Sequence, residues 1–153
     1  MAEQFDREKC ESVLVRYIDE VLNKHNDDLL PEVFHPEFEH ETDESALGFE
    51  HDGRDLEGIK LGMIEMREKL DPTYHAEIIR WEDDTVILDW RFEGVHKATV
   101  MGLVATNRPF VITYTGWCRF KDNKMVAAKS DFDPARVLEQ VMPQLYPDAV
   151  PAA

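Results

Sequence analysis

The feature that most constrains this chain is a change of hydrophobic period at Asp71-Pro72. Before it, apolar residues recur three and four positions apart. Cys10, Val13, Leu14, Tyr17, Ile18, Val21 and Leu22 form one such stripe, and Leu56, Ile59, Met63, Ile64, Met66 and Leu70 another. These are the one-sided patterns of amphipathic helices. After Pro72 the period is two: Leu88, Trp90 and Phe92 alternate with Asp89, Arg91 and Glu93, giving a strand one buried and one wetter face. Helices followed by long strands imply an α+β fold, with N-terminal helices packed on the concave face of a curved antiparallel sheet. A bent sheet covered in this way encloses a cone, and cones hold ligands.

The pattern predicts helices over 6–25, 29–34 and 55–70, a short strand at 38–41 and a polar loop at 42–54. Strands follow at 74–81, 85–97, 110–120 and 125–132, then a short helix at 134–141. A chain of 153 residues suits one well-buried core. Residues 1–141 therefore read as a single domain and 142–153, with three prolines, as a loose tail.

Charge and composition narrow the partners. The net charge of −15, with only 17 Lys and Arg spread along the chain, argues against a nucleic-acid role. No apolar stretch approaches the ~20 residues of a membrane helix, and the N-terminal residues lack a leader's basic and apolar regions, so a cytoplasmic location is the expectation. Cys10 and Cys118 have no ligand-like spacing and read as free thiols. His35, Glu37, Glu39 and His40 match neither a helical His-Glu-x-x-His pair nor a closed zinc site, so no metal is expected.

The last hairpin gathers the polar candidates. A three-residue loop, Lys121–Asn123 with Asn123 left-handed, would pair Phe120 with Lys124, Arg119 with Met125, Trp117 with Ala127 and Thr115 with Lys129. One face would then carry Thr113, Thr115, Trp117, Arg119, Ala127, Lys129 and Asp131, with Asp133 just past its end. A one-residue slip would move a strand's side chains to the other face.

From Gly94 to Gln140 the chain resembles the SnoaL-like polyketide cyclase and ester cyclase group of the nuclear-transport-factor-2-like superfamily. Gly94-Val95-His96 and Gly102-Leu103-Val104-Ala105-Thr106-Asn107-Arg108 stand where that group has a strand ending in Gly-Thr-His and a loop Gly-Ile-Pro-Pro-Thr-Gly-Arg. Arg119-Phe120-Lys121-Asp122-Asn123-Lys124-Met125 stands for its Arg-Phe-x-Asp-Gly-Lys-Ile. Asp133, the helix at 134–138 and Gln140 stand for its closing Asp, helix and Gln. Upstream, Pro36-Glu37-Phe38-Glu39-His40 is similar to its early strand ending in His or Asn. Ala127 and Lys129 depart from it, where the group often has Glu and Trp.

The resemblance implies a cone-shaped, cystatin-like α+β barrel and a homodimer. It also implies a cofactor-free enzyme acting on a small hydrophobic carbonyl compound by aldol-type cyclisation, isomerisation or dehydration. Asp133 would be the general acid/base, with Arg119, Lys129, His40 or His96 steadying the enolate oxygen. Trp90, Trp117, His96, Lys129 and Asp131 are the candidates for contacting substrate. Plainer readings stand beside these. Asp133-Pro134 is a helix cap with proline at the first helical position. Lys129 and His96 can be surface groups. His25 complements a helix end and His51 lies in a loop. A non-catalytic ligand-binding module, or an assembly subunit with a vestigial pocket, would use the same fold.

Overall fold

The computed structural model describes residues 4–41 and 54–142. The polar loop with His51, apart from its last residue, and the tail beyond Met142 lie outside the described residues.

Helix α1, Arg7–Arg16, starts where the Asp6 carboxylate accepts from the Lys9 N–H at 3.2 Å, a side-chain cap on an unpaired helix donor. It runs on as a π-helix over Tyr17–Asn23, a widening that the spacing of apolar residues did not signal. Left-handed His25 ends the segment (φ 62°). A 3-10 turn, Asp27–Leu29, leads into the one-turn helix α2, Leu30–Val33. Strand β1 then spans Phe34–His40, four residues earlier than expected. Pro36 fits because β1 is an edge strand, where a missing N–H is tolerated. Helix α3, Leu56–Leu70, is capped by Asp55, which accepts from the Gly58 N–H at 2.8 Å.

The remaining strands are β2 (Thr73–Glu82), β3 (Thr85–Val95), β4 (Pro109–Lys121) and β5 (Lys124–Ser130), followed by α4 (Pro134–Val141). They form one sheet in the order β1-β5-β4-β3-β2. The three pairs among β2 to β5 are antiparallel; β1 joins β5 in parallel, which an antiparallel sheet did not anticipate.

The last hairpin corrects the expected register. Its turn has two residues, Asp122 and Asn123, both left-handed (φ 53° and 58°), the conformation that matches the twist of a tight hairpin. Lys121 therefore pairs with Lys124 and Phe120 with Met125. A bulge at Val126 adds one more residue, so Arg119 faces Ala127 and Trp117 faces Lys129. The short turn and the bulge together displace the register by two, and a shift of two keeps each side chain on its face. The expected face set therefore stays together, with different partners.

Burial shows which face is inside. Phe110, Ile112, Gly116, Cys118 and Phe120 of β4 are buried, whereas Thr113, Thr115 and Arg119 are exposed. The helices cover the former face. Two clusters fill the interior: one around Leu14, Val33, Phe34, Phe38, Leu88 and Phe120, the other around Met66, Leu70, Phe92, Phe110 and Val137. Tyr74 and Tyr114 pack against both. Gly94 permits the close approach of α3, since a Cβ there would lie 2.7 Å from the Leu70 carbonyl oxygen and from the Phe110 ring.

Candidate functional site

His40 ends β1 opposite Ala128, which in turn pairs with buried Cys118. That register turns the imidazole to the inner face, 6.3 Å from the Phe38 ring. A small, partly enclosed pocket of about 40 Å³ lies there, lined by His40 and Ser130 among Tyr17, Phe34, Phe38 and Trp90. Trp90 is 7% exposed, stacks on Tyr114 at 6.3 Å and meets Tyr74 edge-on at 6.2 Å. It also borders a cleft of about 950 Å³ that Ile18, Asp19 and Asn23 of the π-helix line from the other side. Trp90 thus borders both an open cleft and a small, partly enclosed pocket.

Trp117 and Lys129 also border this pocket, although their strand register puts them on the outer face; the remaining candidates disperse. Asp133 is exposed and caps α4, accepting from the Ala135 N–H at 3.0 Å. It does not line the pocket that holds His40. Arg119 is exposed on the outer face, its guanidinium 5.6 Å from the centre of the half-buried Trp117 ring. Lys129 and Asp131 are exposed, and the Asp131 N–H donates to the Thr115 carbonyl at 2.9 Å. The hairpin face singled out from the sequence is therefore the outer one.

His96 is no rim or surface residue: it is fully buried. Its Nδ1 accepts from the Thr106 N–H at 3.3 Å and lies 3.1 Å from the Thr106 hydroxyl. The hydroxyl in turn accepts from the Arg108 N–H at 3.3 Å. The neutral ring then carries its proton on Nε2, which is buried without a partner. Burial holds the imidazole below its ordinary pKa, opposed by the carbonyls of Leu103 and Ala98. His96 organises the loop between β3 and β4; its backbone also pairs with Arg108 and Asn107.

His35 lies 3.3 Å from an Asp122 oxygen at the hairpin turn, so it is not grouped with His40. Among the described residues, no set of three or more His, Cys, Asp and Glu could hold a metal. Burial pushes the Cys118 thiol up to about 12. No helix of the described residues is long and apolar enough to cross a membrane.

Sequence reasoning missed Tyr17 and Ser130 as pocket residues. Tyr17 read as one member of a core stripe, and Ser130 carried no signal until β5 was paired.

A curved five-stranded sheet covered by helices is the nuclear-transport-factor-2-like arrangement. Residues 12–141 match the SnoaL-like polyketide cyclase family, and the chain belongs to it. Solved structures share the fold. TsrD from Streptomyces laurentii superposes with a TM-score of 0.75 at 17% identity, covering 91% of this chain and 98% of its own. IdmH from Streptomyces antibioticus gives 0.70 at 24% identity, covering 84% and 95%. A SnoaL-like polyketide cyclase from Agrobacterium tumefaciens gives 0.68 at 19%, covering 89% and 97%. No curated protein sequence matches.

Proposed function

We propose that this chain moves a proton on a small hydrophobic carbonyl compound held against the inner face of the sheet, with His40 as the proton carrier. The carrying observation is the setting of His40, an imidazole at a pocket walled mostly by aromatic and aliphatic side chains, with Ser130 and Lys129 beside it. Histidine titrates near neutral pH, so a neutral ring nitrogen can accept a proton from the carbon α to a carbonyl. The C–H electron pair becomes the C=C of an enolate, and the carbonyl π pair moves to oxygen. Return of the proton at another carbon completes an isomerisation; attack of the enolate carbon on a second carbonyl, whose oxygen takes the π pair and then the proton back from His40, completes an aldol closure. Both balance without a cofactor.

Hydrogen–deuterium exchange of 2-tetralone in D₂O, followed by proton NMR, tests the reading. The protein should accelerate exchange and His40→Gln should abolish the acceleration. Equal rates for the two proteins would overturn it.

The small, partly enclosed volume favours a second reading, a ligand-binding module whose interior aromatic side chains must part before anything enters. Specific small-molecule binding without any exchange would select it. For the homodimer, we propose that two copies meet on the outer sheet face. There Trp117 and Ile87 are half-buried between acidic Glu77 and Asp89 and basic Arg119 and Lys129. Sedimentation should show a dimer that Trp117→Glu dissociates; a wild-type monomer would end the idea.

A further inference from the structure

The indole N–H of Trp90 has no hydrogen-bond partner among the described residues, yet it is not sealed away, since His96 Nε2 is the one fully buried unpaired side-chain nitrogen or oxygen among them. A tryptophan this deeply placed ordinarily finds an acceptor, as Trp81 does with the Glu11 carboxylate at 2.8 Å. The surroundings indicate where the N–H is directed. Gly116 is buried on the inner face of β4, and a Cβ built on it would lie 3.3 Å from Trp90 Nε1 and 3.4 Å from Cδ1. The missing side chain lets the nitrogen edge of the indole lie over the strand. Gly116 pairs with Ser130 across the β4–β5 ladder, and Ser130 lines the same pocket as His40. The nitrogen edge of Trp90 thus lies over Gly116, next to Cys118, Lys129 and Ser130 of the small pocket, while Tyr74 and Tyr114 pack against the ring itself.

We propose that Trp90 Nε1–H, seated over Gly116, is the hydrogen-bond donor for the carbonyl oxygen of the ligand, making the small, partly enclosed pocket beside His40 an oxygen subsite. A pocket of about 40 Å³ has room for a few water-sized groups and suits a carbonyl end rather than a whole ligand. A neutral donor aimed at an oxygen in a dry site stabilises the charge that grows there when an enolate forms. An apolar occupant of the same shape would cut this N–H off from water without giving it a partner, so the subsite selects for an oxygen. The inference rests on the proposed inner-face chemistry but is read separately from it.

The test uses the intact protein labelled with ¹⁵N at its indoles and two probes of similar size, cyclopentanone and cyclopentane. The Trp90 resonance is identified by its loss in Trp90→Phe. Cyclopentanone should move it downfield in a saturable way and cyclopentane should not. Trp90→Phe should weaken the ketone about tenfold and leave the hydrocarbon unchanged, the effect of one lost hydrogen bond in a desolvated site. Should Trp90→Phe fail to fold, benzothienylalanine at position 90 keeps the ring's shape and removes only the N–H. An unmoved indole resonance on ketone binding, equal weakening of both probes, or no saturable ketone binding would each overturn the proposal. A responding indole with unaltered proton exchange in His40→Gln would keep the subsite and sink His40 as the base. The reverse pattern would keep His40 and sink the subsite.

Discussion

Gln140 on α4 binds both backbone groups of Val111 on β4: its Nε2 donates to the Val111 carbonyl at 2.6 Å, and its Oε1 accepts from the Val111 N–H at 2.9 Å. β5 ends at Ser130, opposite Gly116, so β4 runs on past its neighbour. The amide takes the place of the absent strand. Asn23 does the same for the edge of β2, accepting from the Tyr74 N–H at 2.8 Å and donating to its carbonyl at 2.9 Å. Each side chain pins a helix-derived segment to the sheet while satisfying two part-buried groups. Gln140→Ala or Asn23→Ala should each cost about 1–3 kcal/mol in urea unfolding, since two backbone groups lose their partner at once. A loss below about 0.5 kcal/mol would show that water replaces the amide freely.

The β4–β5 turn anchors the N-terminus. Buried Asn123 accepts from the Asp6 N–H at 2.7 Å and the Cys10 thiol at 3.4 Å, and donates to the Gln4 carbonyl at 3.0 Å. Asn123→Gly keeps the left-handed backbone and removes the clamp; Asn123→Ala loses both. The expected order of stability is wild type, then Gly, then Ala, each step about 1 kcal/mol. If Gly and Ala variants unfold together, the left-handed backbone contributes nothing.

His96 makes stability depend on pH. Its folded pKa lies below the ordinary value because burial disfavours the charged ring. The unfolded chain therefore binds a proton near its ordinary pKa of about 6.5 while the folded chain does not. This contribution is complete above that pH and is lost as pH falls toward the folded pKa. Beside His96 in the chain, Lys97 pairs with the Asp71 carboxylate at 2.9 Å. Urea midpoints should fall between about pH 7.5 and 5.5 more steeply for wild type than for His96→Gln. Parallel slopes would remove His96 from the account.

Asp133 separates a cap from a base. Asparagine caps as well as aspartate, so Asp133→Asn should hold stability within about 0.5 kcal/mol, whereas Asp133→Ala should lose about 1 kcal/mol. With His40 as proton carrier, Asp133→Asn should also keep tetralone exchange within about twofold. Loss of exchange in a folded Asn variant would return catalysis to Asp133.

Both thiols should be silent in the folded protein. Cys10 and Cys118 are buried, and the Cys118 thiol stays protonated far above neutral pH. Labelling by Ellman's reagent should occur at the rate of unfolding; a fast phase of one equivalent would contradict the packing.

The sequence by itself determined the elements and their class. Residues such as Leu14 and Val21, or Leu88 and Phe92, are buried as their period dictates, because a helix or strand presents its faces through purely local geometry. The Asp133-Pro134 cap was legible for the same reason. What only the tertiary structure decided was which face is inside. Trp117, Arg119, Lys129 and Asp131 were correctly grouped, yet grouping does not say which side the helices cover. The bulge at Val126 and the parallel pairing of β1 with β5 depend on contacts between segments distant in the chain. So do the burial of His96 and the meeting of His40, Ser130 and Trp90 from three strands. A side chain's alternation is written in its neighbours; the partner it meets across a cavity is written in the packing of the whole chain.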